Sequence, residues 1–320
     1  MAIQVLTGKA FEYALLLEFY ERLKYLTSVT IIDNDPLKNA KKCFESFDET
    51  DQSTYRITSS AAVNFLLDIE PRLSHGISEH DTLQLEIVSD QQGQSGDVRD
   101  VLLIRSLQNW EIGISAKNNH RAVKHSRLSQ SIDFGDKWLG IPCSNEYFEE
   151  IESIFSMLES IKKKDKSTKW TSIEDMHQKV YIPILEAFRK ELLRLDKENP
   201  IIVAERLVNY LIGNQDFYKV IKGKNKIEIQ GYNLHGTLNL PFEKVKPKAK
   251  IPKLKLPTRL VEVVYENEST TTLKVSLNEG WNISFRIHNA SSRVEPSLKF
   301  DINLISVPQS LFANHLFIKE

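Results

Sequence analysis

The chain has 320 residues, 41% of them apolar, with 42 Lys and Arg against 43 Asp and Glu for a formal net charge of -1. That composition excludes a disordered, collagen-like or disulfide-stapled chain and leaves material for a substantial core, in one large or two modest domains. No run approaches the roughly 18 apolar residues that span a bilayer, the N-terminus is not built like a signal peptide, and the cysteines Cys43 and Cys143 fit a reducing, cytoplasmic setting rather than a staple or a zinc site.

Residues 8–26 carry Phe11, Leu15, Phe19 and Leu23 at near-helical spacing and predict a helix. Residues 30–57 are polar and mixed, with a helix predicted around Pro36–Phe47, and residues 58–69 predict another. The period then changes. Leu83, Leu85 and Ile87 alternate with polar residues as in a strand, 89–96 is a polar loop, Val101–Ile104 reads as a buried strand, and Trp110–Ala116 as its return after a turn at Gln108-Asn109. A short basic helix is predicted over 120–131. Helices are predicted over 145–164, 172–195 and 201–212, with Pro183 either kinking the second or opening it. Residues 241–257, with four prolines and alternating lysines, predict an extended linker or basic arm. From Leu260 onward four strands are predicted: LVEVVY, TTLKVSL, WNISFRI and FDINLISV.

The neutral average hides an uneven distribution. Residues 1–116 hold 18 acids against 10 bases, 117–130 hold four bases and no acid, and 219–259 hold eleven bases against two acids. Such blocks fit a polyanion partner, although a charge run is also what a solvated face shows.

The chemistry concentrates in residues 95–120. Asp100 opens the buried strand, and Ser115 and Lys117 share one face near the end of the return strand, so Asp100 and Lys117 converge at one sheet edge. Metal-dependent phosphodiesterases use this arrangement: carboxylates hold Mg2+, the ion polarises the phosphate and acidifies water, and the lysine stabilises developing charge. Their usual pattern is an Asp, a spacer, then Asp/Glu-x-Lys. Here Ser115 stands at the acid position, and Glu111 lies roughly 20 Å of strand from Lys117, too far to replace it. Asp97, entering the strand, and Glu12, on the first helix, remain as the missing carboxylate. Asn118, Asn119, His120, Lys124, His125 and Arg127 suit phosphate contact. Arg286, His288, Asn289, Arg293, Glu295 and Lys299 crowd one segment and suit base edges, Arg towards guanine and Glu towards the cytosine amine. No Walker loop, GxGxxG, CxxC or HExxH occurs.

The runs GKAFEYAL (8–15), GDVRDVLLIR (96–105), EIGISAKNNHRAVKHSRLS (111–129), KWLGIPCS (137–144) and WNISFRIHNASSRVEPSLKFDI (281–302) resemble the type II restriction endonucleases of the HaeIII family, in the same order over most of the chain. The resemblance implies an α/β (α+β) restriction-endonuclease-like PD-(D/E)xK core over 1–165, its mixed sheet flanked by helices. Residues 166–320 become a helical and β-rich DNA-recognition region that includes the basic segment 219–259. It implies Mg2+-dependent cleavage of double-stranded DNA at GGCC, between G and C. Asp100 becomes the main metal ligand, with Asp97 or Glu12 beside it, and Lys117 the catalytic lysine. Lys124, His125 and Arg127 would lie on DNA near the cut, and the Arg286–Lys299 block would read bases. A palindromic target favours a homodimer, and host DNA would need a companion methyltransferase. Two rival readings use the same residues: a structure-specific repair nuclease of the same superfamily, and a DNA-binding protein silenced by Ser115.

Overall fold

The computed structural model describes residues 3–75, 80–89, 97–118, 123–267 and 269–318. The chain forms two units, neither continuous in sequence: residues 1–121, 213–255 and 310–320 make one, and 122–212 and 256–309 the other. The linear cut expected at residue 165 does not coincide with these boundaries, because later strands return to complete the first sheet.

The first unit packs three helices, α1 (Ile3–Leu23), α2 (Asp35–Glu45) and α3 (Glu49–Ile69), against a seven-stranded mixed sheet. Its strands are β1 (Ser28–Ile31), β2 (Thr82–Ile87), β3 (Val101–Arg105), β4 (Trp110–Asn118), β6 (Phe217–Lys222), β7 (Lys226–Tyr232) and β12 (Phe312–Phe317), paired in that order. The β1–β2 and β4–β6 pairs are parallel. Period-2 alternation sends Leu83, Leu85, Leu103, Ile112 and Ile114 into one core with Phe11 and Leu66. α3 starts well before residue 58 because the Asp48 carboxylate accepts from Asp51 N and caps it. The sequence reading missed β1, β6, β7 and β12; in β6 and β7 the lysines drew attention to charge and masked the strand alternation.

Glu70, just after α3, is buried and accepts hydrogen bonds from Tyr218 Oη at 2.5 Å and Asn239 N at 2.6 Å. Burial pushes its carboxyl up to about 7. The folded chain therefore keeps this proton between about pH 4.5 and 7, where the unfolded chain has lost it, so stability is highest below that window and falls as pH rises through it. Glu70→Gln keeps an acceptor for both donors, and its thermal midpoint should vary less across this window than the parent's. An unchanged slope would assign the pH dependence to other groups.

The second unit holds α4 (Asn145–Lys164), α5 (Ile182–Glu198) and α6 (Ile202–Ile212). Beside them lies an antiparallel sheet ordered β5 (Lys124–Leu128), β11 (Leu298–Ser306), β10 (Asn282–Asn289), β9 (Thr272–Leu277) and β8 (Leu260–Tyr265). One face of the sheet is apolar: Phe285 and Phe300 join Phe188, Phe134 and Trp138 in an aromatic cluster. Pro183 lies in the first turn of α5, directly after a π-helical turn over His177–Tyr181. The basic helix expected over 120–131 is instead strand β5 over its central part. Ser126 and Leu128 are buried while His125 and Arg127 are exposed, a period of two that pairs with β11.

Residues 241–257 hold neither helix nor strand but are extended only in part: Phe242 and Val245 exchange backbone hydrogen bonds around a tight turn with Glu243 at φ 51°, and the chain passes between the units at 255–256. The segment is not a free arm: Ile251 and Leu254 are buried in the first unit, tied by Ile251 N to Asn239 Oδ1 and Leu254 N to Asn233 O, each at 2.8 Å. No helix among the described residues is long and apolar enough to cross a membrane.

Candidate active site

Asp100 is fixed by its backbone before its side chain does anything. Its N–H donates to Ile114 O at 2.8 Å and its carbonyl accepts from Val88 N at 3.0 Å, so it is held between β4 and β2. The β3–β4 pairing ends at Val101–Ile114, while β4 continues to Asn118 against β6. Beyond that last pair the Asp100 carboxylate takes over from the backbone. Its Oδ2 accepts from Ala116 N at 2.7 Å, Lys117 Nζ at 3.0 Å and Ser115 Oγ at 3.2 Å. The convergence expected of Asp100, Ser115 and Lys117 is therefore what the strands produce.

Glu12 comes to the same place from α1. It is buried on the wall of a cavity of about 530 Å³ that also exposes Lys9, Asp100, Ala116, Lys117 and Asn118. Burial, reinforced by the nearby Asp100 charge, pushes its carboxyl up to about 8 against the opposing pull of Lys9 and Lys117. Lys9 Nζ donates to Glu12 Oε2 at 3.0 Å and is itself buried. The sequence reading passed over Lys9, since a Lys and Glu three apart on a helix ordinarily form a solvated pair. Asn118 Nδ2 lies 3.5 Å from Tyr55 Oη.

Asp97 does not join this cavity. Arg99 holds it, donating from Nε to Oδ1 at 2.8 Å and from Nη2 to Oδ2 at 2.7 Å, while Arg99 Nη1 reaches Glu111 Oε1 at 2.6 Å. Arg99 lies across β4 at Gly113, where a Cβ would stand 2.0 Å from Arg99 Cδ. Of Asp97 and Glu12, it is Glu12 that lines the cavity with Asp100. Among the described residues, no three His, Cys, Asp or Glu side chains gather as a metal-binding group.

The residues expected to touch DNA lie mostly in the second unit. Asn119 and His120 fall outside the described residues. Lys124 is half-buried: its ammonium donates to Tyr210 O at 2.9 Å and sits 3.7 Å from that ring's centroid, and burial lowers its pKa to about 8. Of the rest, His125, Arg127, Arg286, His288 and Lys299 lie on the polar face of the sheet, and Arg293 and Glu295 on the connection between β10 and β11. His125 Nδ1 is 3.2 Å from Asp301 Oδ1, and Arg286 Nη2 donates to Asp301 Oδ2 at 3.1 Å, forming a row across β5, β11 and β10. The next row on that face is Arg127, Lys299 and His288. Arg127 also reaches Ser297 Oγ at 3.2 Å and Glu295 Oε2 at 3.8 Å. His288 Nδ1 lies 2.8 Å from Asn289 O, Asn289 turns its amide onto Ser291 O, and Arg293 is exposed. Asp301 was not foreseen, although its alternation with Lys299 along β11 places both on this face.

An exposed arginine on such a face suits a guanine edge. Arg286→Ala should weaken binding to a specific duplex by about 1–3 kcal/mol and leave random duplex nearly unaffected. Competition binding against both duplexes checks this, and an equal loss on the two would make Arg286 a phosphate contact.

The family model of the HaeIII restriction endonuclease matches residues 8–308. The type II restriction enzyme HaeIII of Haemophilus aegyptius is 41% identical over 307 residues, covering 95% of each chain. No solved structure matches this chain. With a match over nearly its whole length, the chain belongs to the HaeIII restriction endonuclease family and is a type II restriction enzyme.

Proposed function

We propose that this enzyme cuts double-stranded DNA at GGCC, between the central G and C, by Mg2+-dependent hydrolysis in a PD-(D/E)xK-type core built on the first unit. The observation that carries this reading is Lys117 Nζ at 3.0 Å from Asp100 Oδ2, with Glu12 buried on the wall of the same cavity. Two carboxylates suit Mg2+, which commonly takes one or two from protein and completes its octahedron with water and phosphate oxygens. Burial, with the Asp100 charge added to it, raises Glu12, and a dication bound between the two carboxylates would oppose both effects. Ser115, a neutral hydroxyl at the usual acid position, leaves Glu12 to complete the pair.

When bound, the ion neutralises the scissile phosphate and acidifies the attacking water. Asp100 aims the Lys117 ammonium, and Lys117 orients that water and balances charge building on the phosphate. Base reading falls to the polar face of β5, β11 and β10. A palindromic target calls for two copies of the chain, one for each half-site. A separate methyltransferase would protect host DNA without forming a stable complex.

Incubation with long duplex of known sequence, in Mg2+ or in EDTA, tests the reading. Discrete Mg2+-dependent fragments with blunt ends inside GGCC are expected. Fragments ending at another sequence would overturn the specificity and keep the reaction. Uncut but gel-shifted DNA would leave a silent binder.

A further inference from the structure

Lys9 carries chemistry that the cleavage reading has not used. Lysine is rarely buried without a partner, and Lys9 is only 8% exposed, with its ammonium on the 5%-exposed Glu12 at 3.0 Å. A solvated pair at this spacing on a helix would be worth a few tenths of a kcal/mol. This one faces the cavity that holds Asp100 and Lys117. The two carboxylates each carry an ammonium, Lys9 on Glu12 and Lys117 on Asp100, so the four charges cancel within the cavity once Glu12 is ionised.

That balance has a consequence for any cation entering the cavity. A dication must compete with both ammonium groups for the carboxylates, and in low dielectric such competition is costly. A phosphate diester arriving with it supplies an anionic partner for a displaced ammonium. The N-terminal half of α1 puts Lys9 on the same cavity wall as Glu12, facing the space that Asp100 and Lys117 also line.

We propose that Lys9 is a positioning residue of the cleavage centre: it holds Glu12 in the metal-free protein and passes to the DNA phosphate when duplex and cation arrive, coupling the two binding events. Coupling of this kind is reciprocal, so duplex tightens the cation as the cation tightens duplex. The inference rests on the cation site read above, and its test separates the two.

Mn2+ is titrated calorimetrically into the full chain in mildly alkaline buffer, without DNA and then with a non-cleavable cognate duplex. Lys9→Met should raise Mn2+ affinity of the DNA-free protein about tenfold, a modest fraction of the Coulomb energy of unit charges a few ångströms apart. It should also shrink the gain in affinity that duplex brings. Lys9→Arg, which keeps the charge, should behave like the parent. Unchanged or weaker DNA-free Mn2+ binding in Lys9→Met overturns the inference; if that variant does not fold, Lys9→Gln is measured in its place. Asp100→Asn, titrated in parallel, tells the two failures apart. If it abolishes Mn2+ binding while Lys9→Met binds like the parent, only the role of Lys9 falls. If it leaves Mn2+ binding intact, the cation site is misplaced and both readings fall.

Discussion

Lys117→Ala should leave folding and duplex binding nearly intact while slowing single-turnover cleavage roughly a hundred- to a thousandfold. Lys117 sits at the end of β4, 31% exposed, and its ammonium contacts Asp100 rather than the core. Truncation therefore removes no packing of consequence. What it removes is a positive group aimed at the place where an attacking oxygen and a phosphate would meet. Binding to duplex spreads over many phosphate contacts, so losing one ammonium costs little of it. Cleavage at the parental rate would show that the centre lies elsewhere in the chain.

Asp100→Asn should do more damage, lowering cleavage at least about a thousandfold by removing both the carboxylate proposed to hold the metal and the charge that anchors the lysine. The asparagine oxygen can still accept from Ala116 N, so the strand end should hold. Standing at the Oδ2 position, that oxygen can also accept from Lys117 Nζ, but as a neutral acceptor it no longer holds the ammonium by charge. Removing a negative charge beside the phosphate path should also tighten uncut duplex a few-fold, with a steeper salt dependence. Single-turnover rates and salt-dependent binding on the same duplex check both halves. Weak duplex binding together with weak cleavage would indicate a disrupted fold and not a lost ligand.

The sequence made the Asp100–Lys117 geometry legible because it depends on local rules. Two short strands, a tight turn and a period of two bring the ends of the hairpin together wherever the sheet lies. Glu12 was legible as a candidate from its place in GKAFEYAL, but the choice between it and Asp97 was not. That choice turns on Arg99, which reaches over Gly113 on the neighbouring strand to hold Asp97, and no spacing along the chain announces such a crossing.

Lys9 was hidden for a different reason. Its distance from Glu12 is that of an exposed helical pair, and only burial against the cavity gives the pair its meaning. The division into units was equally out of reach. β6 lies parallel to β4 about a hundred residues later in sequence, a long-range pairing that composition and local period do not encode. β5 was legible in its alternation: the bases and histidines of 120–131 suggest a basic helix face, but the alternation of His125 and Arg127 with buried Ser126 and Leu128 points to a strand.

Affinity cleavage by a bound redox-active ion would locate the cation itself. Fe2+ substituted for Mg2+, with ascorbate and hydrogen peroxide, cuts a polypeptide beside the bound ion, and mass spectrometry reads the cut positions. Cuts are expected flanking Glu12 and Asp100 and along Ser115–Lys117, suppressed by excess Mg2+ and absent from Asp100→Asn. Mg2+-suppressible cuts confined to other segments would contradict it, and the cleavage centre would have to be sought there.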